Sequence, residues 1–295
     1  MEIIKKGNLE IAGKHNKPNL TDFYFRNDDI PKPVIIFCHG YKGFKDWGAW
    51  HEMAEIFAKE GFFFIKFNFS HNGTTPEFPT EFMDIEAFGE NNYSKELEDL
   101  QAVIDYLHSP DFEYQDHIDT REINLIGHSR GGGIAAIKAA EDERITKLVT
   151  FSAVSDFASR FPEDEDEIEK WSKRGVSYII NTRTKQQLPH HFQFYTNFKE
   201  NEERLTISRA VKTLEIPHLI VHGSNDTSVP ISDSGELFEW SPFPDLLLVE
   251  SADHVYGQTH PWEGGELPTE FKYVLDRTLK FLKEDKDKLF RNFKD

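Results

Sequence analysis

A serine sits within the string Gly127-His128-Ser129-Arg130-Gly131. The setting of the string gives it weight. It follows the apolar run 123–126 and leads directly into a small-residue segment, GGGIAAIKAA, that reads as a helix over Gly131–Ala140. A serine at a sharp strand-to-helix bend is presented above the edge of a sheet, with the helix N-terminus beneath it favouring developing negative charge. Glycine is required on both flanks, because a side chain there would collide with the neighbouring helix and strand. Ser129 is therefore the candidate nucleophile.

A serine hydroxyl is weakly nucleophilic at neutral pH. It needs a base, and the base needs an acid to orient it. Two later strand ends supply both. His222-Gly223-Ser224-Asn225-Asp226 follows the apolar run Pro217–His222, and Ser251-Ala252-Asp253-His254 follows Asp245–Val249. Asp226 is the expected acid and His254 the expected base.

The chain has 13 histidines, so rivals need weighing. His260 lies further from the strand end and precedes Pro261. His128 adjoins the nucleophile, where a histidine packs more often than it catalyses. Asp253 is adjacent to His254 in sequence, and adjacent side chains seldom meet in the required geometry. His190-His191 lacks carboxylate or cysteine ligands at a recognised metal-binding spacing, so no metal is expected.

A tetrahedral intermediate needs two backbone N–H donors. One follows the nucleophile, at Arg130. The second is expected from the loop His39-Gly40-Tyr41-Lys42-Gly43, at Tyr41. That loop matches neither a P-loop nor a dinucleotide fingerprint, and no organic cofactor is expected.

The elements that must position these residues read as an alternation. Short antiparallel strands are predicted at Glu2–Lys6, Asn8–Ala12 and Leu20–Phe25. Buried strands follow at Val34–Cys38, Phe62–Phe69, Glu122–Ile126, Leu148–Phe151, Pro217–His222 and Asp245–Val249. Unbroken, β-branched runs are typical of strands covered on both faces. Helical spacing marks Trp47–Lys59, Tyr93–His108, Gly131–Ala140, Ser232–Trp240 and Thr269–Lys283. Ser70–Asn92 reads as a long loop. The alternation predicts an α/β fold, a mostly parallel sheet with helices on both faces.

One interval breaks the pattern, Ser155–Val211. Its acidic run PEDEDEIEK reads as a solvated face, and VSYII, NTRTKQQ and HHFQFY read as a β-hairpin. The expectation is a single domain over residues 1–295 with a cap insertion at about 155–211. Phe192, Phe194 and Tyr195, alternating along the hairpin, are candidate pocket residues.

Composition narrows the function classes. The formal charge is −18, from 52 acidic and 34 basic residues. No Lys/Arg cluster is present to displace phosphate counterions, so nucleic acid is not an expected partner. A neutral or small substrate is expected rather than a polyanion. The single cysteine, Cys38, lies in a buried strand, where cysteine behaves as a small hydrophobe, and no internal disulfide can form. With no signal-like apolar run at the N-terminus and no span of ~20 apolar residues, a cytoplasmic location and no membrane span are expected.

HGYKG at His39–Gly43, GHSRGG at Gly127–Gly132, HGSNDTSVP at His222–Pro230 and ADH at Ala252–His254 together resemble the α/β-hydrolase superfamily. Within it the chain is similar to the dienelactone-hydrolase-like and cinnamoyl/feruloyl-esterase-like carboxylesterases, over about residues 30–282. In feruloyl-esterase-like members a small insertion after the fourth of these strands roofs the pocket, and the interval 155–211 is similar to it. Arg130 stands where many such esterases carry Gln or another neutral residue.

The reading that results is a serine hydrolase acting on small-molecule acyl or aryl esters, or thioesters, through an acyl-enzyme. Two alternatives stand beside it: a peptidase or acyl-aminoacyl hydrolase on the same fold, and a non-catalytic protein using the pocket as a receptor.

Overall fold

The computed structural model describes residues 2–292. The chain opens with β1 (Ile3–Ile11) and β2 (Asn19–Arg26), followed by β3 (Lys32–Cys38), α1 (Trp50–Lys59) and β4 (Phe63–Phe67). Then come α2 (Ile85–Gly89), α3 (Tyr93–Tyr106), β5 (Ile118–His128), α4 (Arg130–Glu141) and β6 (Ile145–Phe151). The next stretch holds α5 (Glu165–Arg174), β7 (Val176–Ile180), β8 (Gln187–His191), α6 (Gln193–Glu200), α7 (Glu202–Leu205) and α8 (Ile207–Lys212). β9 (His218–Gly223), α9 (Ile231–Trp240), β10 (Pro244–Val249) and α10 (Thr269–Lys283) complete the part that positions the site.

Eight strands form one sheet in the order β1-β2-β4-β3-β5-β6-β9-β10. Only the β1–β2 and β2–β4 pairings are antiparallel; the others are parallel. Both faces of the sheet are covered, as the unbroken apolar runs require. Strand periodicity sorts the side chains. Val34, Ile36 and Cys38 join Leu97, Leu100 and Ile134 in one core, while Ile35 and Phe37 join Met53, Phe57 and Val274 in the other. Among the described residues no helix is long and apolar enough to cross a membrane.

The strand order reverses at β3, whose neighbours are β4 on one side and β5 on the other. Crevices at the carboxyl ends of parallel strands beside such a reversal are where α/β sheets hold ligands. The β3 loop and the β5 turn carrying Ser129 therefore meet at this point.

Three elements differ from the sequence expectation. Glu2–Lys6 and Asn8–Ala12 are one strand, bulged between Lys6 and Leu9. Asn8 takes a left-handed φ of 56°, and its N–H donates to Asp22 at 2.8 Å, which absorbs the extra residue without breaking the ladder. The loop Ser70–Asn92 contains α2, capped by the Asp84 side chain accepting from the Ala87 N–H.

The third is a correction to the hairpin. Its second strand ends at His191, and α6 begins at Gln193. Phe192, Phe194 and Tyr195 therefore do not alternate along a strand. The helical spacing of the buried Phe194 and Phe198 decided this segment, and both pack into the core with Phe161. The hairpin is seated on the β4–α3 loop. Leu188 clusters with Phe44, Phe82 and Phe88, and Gln186 Nε2 donates to the Phe82 carbonyl at 2.9 Å.

Candidate active site

Ser129 occupies the turn between β5 and α4 with φ 56° and ψ −123°. This is a strained conformation for a residue with a side chain, held in place by its surroundings. Its N–H donates to the Phe151 carbonyl at 2.9 Å, and its own carbonyl accepts from Gly132 and Val154. The flanking glycines are obligatory. A Cβ on Gly127 would stand 2.4 Å from the Gly131 carbonyl oxygen, and one on Gly131 would stand 2.4 Å from the carbonyl oxygens of Cys38 and His39. No side chain fits at such distances, so the tight strand–turn–helix approach that presents Ser129 depends on both.

The loop after β3 passes directly over this turn. A Cβ on Gly40 would lie 2.9 Å from Ser129 Cβ. The loop closes through the Gly43 N–H to the Gly40 carbonyl at 3.0 Å. Its far end is anchored by Lys45, whose N–H donates to Asn68 at 2.6 Å and whose ammonium pairs with Asp22 at 2.8 Å and with Asp46. Lys66 pairs with the same two carboxylates. Among the described residues neither the Tyr41 nor the Arg130 backbone N–H has a protein acceptor.

Asp226 and His254 come from the loops after β9 and β10. His254 Nδ1 donates to Asp226 Oδ2 at 2.7 Å, while Oδ1 accepts from the backbone N–H groups of Ser228 at 2.8 Å and Val229 at 2.9 Å. The Asp226 side chain is fully buried. Burial pushes its pKa up, but the His254 hydrogen bond and charge and the two backbone donors outweigh it and hold it at about 2. With Nδ1 committed to the carboxylate, Nε2 is the nitrogen left for proton transfer.

The rival residues serve other ends. His128 Nε2 donates to the His254 carbonyl at 2.9 Å and so ties the His254 loop to the Ser129 turn. Burial lowers its pKa to about 3, so it stays neutral. His260 Nδ1 accepts from the Gly48 N–H at 3.0 Å, and its ring stacks on Trp47. Asp253 accepts from the N–H groups of Val255 and Gly257, shaping the turn instead of touching His254. His190 and His191 diverge, the first to the Tyr41 hydroxyl at 2.6 Å and the second to Glu90. His191 also lies with Glu86 and Glu90, their ligand-type atoms within 4.8 Å of one another at the surface.

A cavity of about 710 Å³ opens above these residues. Ser129 and His254 line it, together with Tyr41, Arg130, Trp171 and Phe194. Phe192 and Tyr195 are not among its lining residues; both rings pack near Trp171 instead. Trp50, Tyr93, Arg160 and Arg183 also line it and were not singled out from the sequence. They arrive from four separate segments, and no local spacing connects them.

Comparison with known proteins agrees with this architecture. Residues 33–208 match the family model of the alpha/beta hydrolase fold. The quorum-quenching protein AidA of Acinetobacter baumannii is 26% identical over 143 residues, 48% of this chain and 42% of that protein. Protein YcjY of Escherichia coli is 31% identical over 122 residues, 41% of this chain and 35% of that protein. These matches span less than half the length of each relative. Among solved structures, Est1E from Butyrivibrio proteoclasticus with bound ferulic acid superposes with a TM-score of 0.70 at 17% identity, covering 93% of this chain and 97% of that one. A putative dienelactone hydrolase from Klebsiella pneumoniae superposes with a TM-score of 0.61 at 14% identity, covering 97% and 100%. The chain belongs to the alpha/beta hydrolase fold family.

Proposed function

We propose that this hydrolase-fold protein is a serine esterase that cleaves carboxylic esters of small molecules through an acyl-enzyme. The observation that supports this reading most is convergence. A strained serine, a histidine bonded to a buried, ionised carboxylate, and two backbone N–H groups without acceptors come from four separate loops to one cavity. Est1E with bound ferulic acid, and the esterase domain from Rhodothermus marinus with its TM-score of 0.62, lend the esterase reading further support.

In the proposed reaction Ser129 Oγ attacks the ester carbonyl carbon while its proton passes to His254 Nε2. The carbonyl oxygen takes up negative charge facing the Tyr41 and Arg130 N–H groups. Collapse breaks the bond to the alkoxy oxygen, which leaves as the alcohol with the proton from His254. Water then gives its proton to His254 and its oxygen to the acyl carbon. Ser129 recovers the proton as the acid departs. Asp226 keeps the imidazole in the tautomer this shuttle needs and stabilises the imidazolium.

We further read the segment 155–211 as a roof over Ser129 within one domain, since Phe161, Trp171, His190 and Phe194 of that segment line the cavity. The single buried cysteine supports the cytoplasmic reading. The test is steady-state hydrolysis of 4-nitrophenyl esters of graded acyl length by the wild type and Ser129→Ala. The variant is expected to lose on the order of 10⁴-fold in kcat. Turnover within tenfold of wild type would overturn the assignment.

A further inference from the structure

The charge of the cavity is opposite to that of the molecule. The chain carries 52 acidic and 34 basic residues. The ionised side chains lining the cavity are nevertheless Lys42, Arg130, Arg160 and Arg183, with no Asp or Glu among the lining residues. Arg130 faces the buried Glu96 at 3.3 Å, and Arg160 faces Asp233 at 3.5 Å. Among the described residues Lys42 and Arg183 have no carboxylate partner.

Two of these cations converge on the ring of Tyr41, in the cavity that Ser129 lines. The Arg130 guanidinium lies 4.0 Å from the centre of the Tyr41 ring, and the Lys42 ammonium lies 5.4 Å from the same centre. Lys42 is half-buried with a left-handed φ of 56°, which turns the loop at this point. Burial, reinforced by the Arg130 charge, lowers its pKa. The pair thus brings two positive charges to a partly desolvated wall, with one carboxylate, Glu96, to balance them. Tyr93 adds a neutral donor. It lines the cavity, is 1% exposed, and its ring centre is 5.1 Å from the Arg130 guanidinium. Its hydroxyl has no protein partner among the described residues. A buried phenol without an acceptor is costly, and Tyr93 both lacks one and lines the cavity.

We propose that Lys42, Arg130 and Tyr93 form an anion subsite beside Ser129, selecting esters that carry a carboxylate or a phosphate. The proposal rests on the reading of the cavity as an ester-hydrolysing site and names its substrate class. Arg160 and Arg183 extend the positive field along the cavity wall. A cleft of one sign concentrates ligands of the other, here against the repulsion of an acidic exterior.

Binding is tested first in full-length Ser129→Ala, where turnover plays no part. Calorimetry with benzoate, phenyl phosphate and the neutral benzamide is expected to show the anions bound about tenfold tighter or more. Lys42→Met keeps the apolar stem and Tyr93→Phe keeps the ring that stacks on Phe157. Each is expected to remove most of that preference, and Lys42→Arg to retain it. The tighter of the two anions identifies the group recognised. In the Ser129 enzyme, the kcat/KM ratio of 4-carboxyphenyl butyrate to phenyl butyrate is expected to exceed about ten and to fall toward one in Lys42→Met. Anions bound no tighter than benzamide, or a preference unchanged in both Lys42→Met and Tyr93→Phe, would overturn the subsite. Anion binding that depends on Lys42 and Tyr93, in a protein that turns over no ester, would uphold the subsite and remove the esterase reading instead.

Discussion

Replacing Asp226 with Asn changes which proton the His254 imidazole holds. In the wild type, Oδ1 accepts two backbone N–H bonds and Oδ2 accepts from His254 Nδ1. An asparagine must keep its carbonyl oxygen on the two backbone donors, because its NH₂ would repel them. The NH₂ then points at His254 and makes Nδ1 an acceptor. The imidazole is left with its proton on Nε2, the wrong tautomer to take one from Ser129. The expected loss is on the order of 10⁴-fold in kcat, with KM changed by a few-fold at most. The charge also contributes to stability. Its pKa falls from 3.8 to about 2 on folding, which corresponds to about 2 kcal/mol. Because the folded value is the lower one, that stability is present above pH 3.8 and is lost as the pH falls through about 2. Asp226→Asn should therefore melt roughly 4 °C lower at pH 7 and lack that part of the wild type's acid dependence. Stopped and steady-state 4-nitrophenyl butyrate assays, with scanning calorimetry alongside, measure both quantities. A kcat within tenfold of wild type would refute the orientation argument.

Other perturbations separate the roles assigned above. Gly131→Ala places a methyl 2.4 Å from two carbonyl oxygens, so it should fold poorly or melt far below wild type; an unchanged Tm would mean the turn relaxes freely. His260→Gln should leave kcat within a few-fold, whereas His254→Gln should remove nearly all turnover; the reverse result would reassign the base. Phe194→Ala should change the ranking of acyl lengths because that ring lines the cavity, while Phe192→Ala and Tyr195→Ala should not, as a graded ester series will report. Burial lowers the folded pKa of His39 to about 4 and those of His128, His190 and His218 to about 3. Unfolded histidines titrate near ~6.5, so this stability is complete above that pH and is lost as pH falls toward 4–3. Tm should drop steeply over that window. Asp99 has the opposite sign, its pKa raised by burial to about 8; its contribution is complete below the unfolded carboxyl pKa near ~3.9 and is lost as pH rises from there to about 8, so Asp99→Asn should flatten the pH dependence of Tm over that window.

The strands and the loops of the candidate site were legible because their signals are local. A run such as VIIFC must be covered on both faces, and Gly127 is required by backbone contacts within its own turn, although Gly131 answers to the distant carbonyls of Cys38 and His39. The order of Ser129, Asp226 and His254 along the chain, each after a strand, led to loops that the sheet brings together. The bulge at Asn8 was not legible, because Asp22 from the neighbouring strand fills its N–H. The segment after His191 was misread because HHFQFY alternates over a few residues, while Phe194 and Phe198 supply the helical spacing that tertiary packing selects. Net charge was the least informative guide. It counts the whole surface, whereas Lys42, Arg130, Arg160 and Arg183 are scattered in sequence and line one cavity only when the β3 loop, α4, the segment before α5 and the hairpin turn fold over Ser129.

The most direct test of the central claim is covalent labelling of the native protein with a fluorophosphonate, read by peptide mass spectrometry. Such reagents phosphonylate serines activated by a base. The label is expected on the peptide containing Ser129, to be absent in Ser129→Ala, and to form far more slowly in His254→Gln and Asp226→Asn. A wild type that hydrolyses esters yet takes no label at Ser129, or equal labelling of Ser129→Ala, would contradict the account.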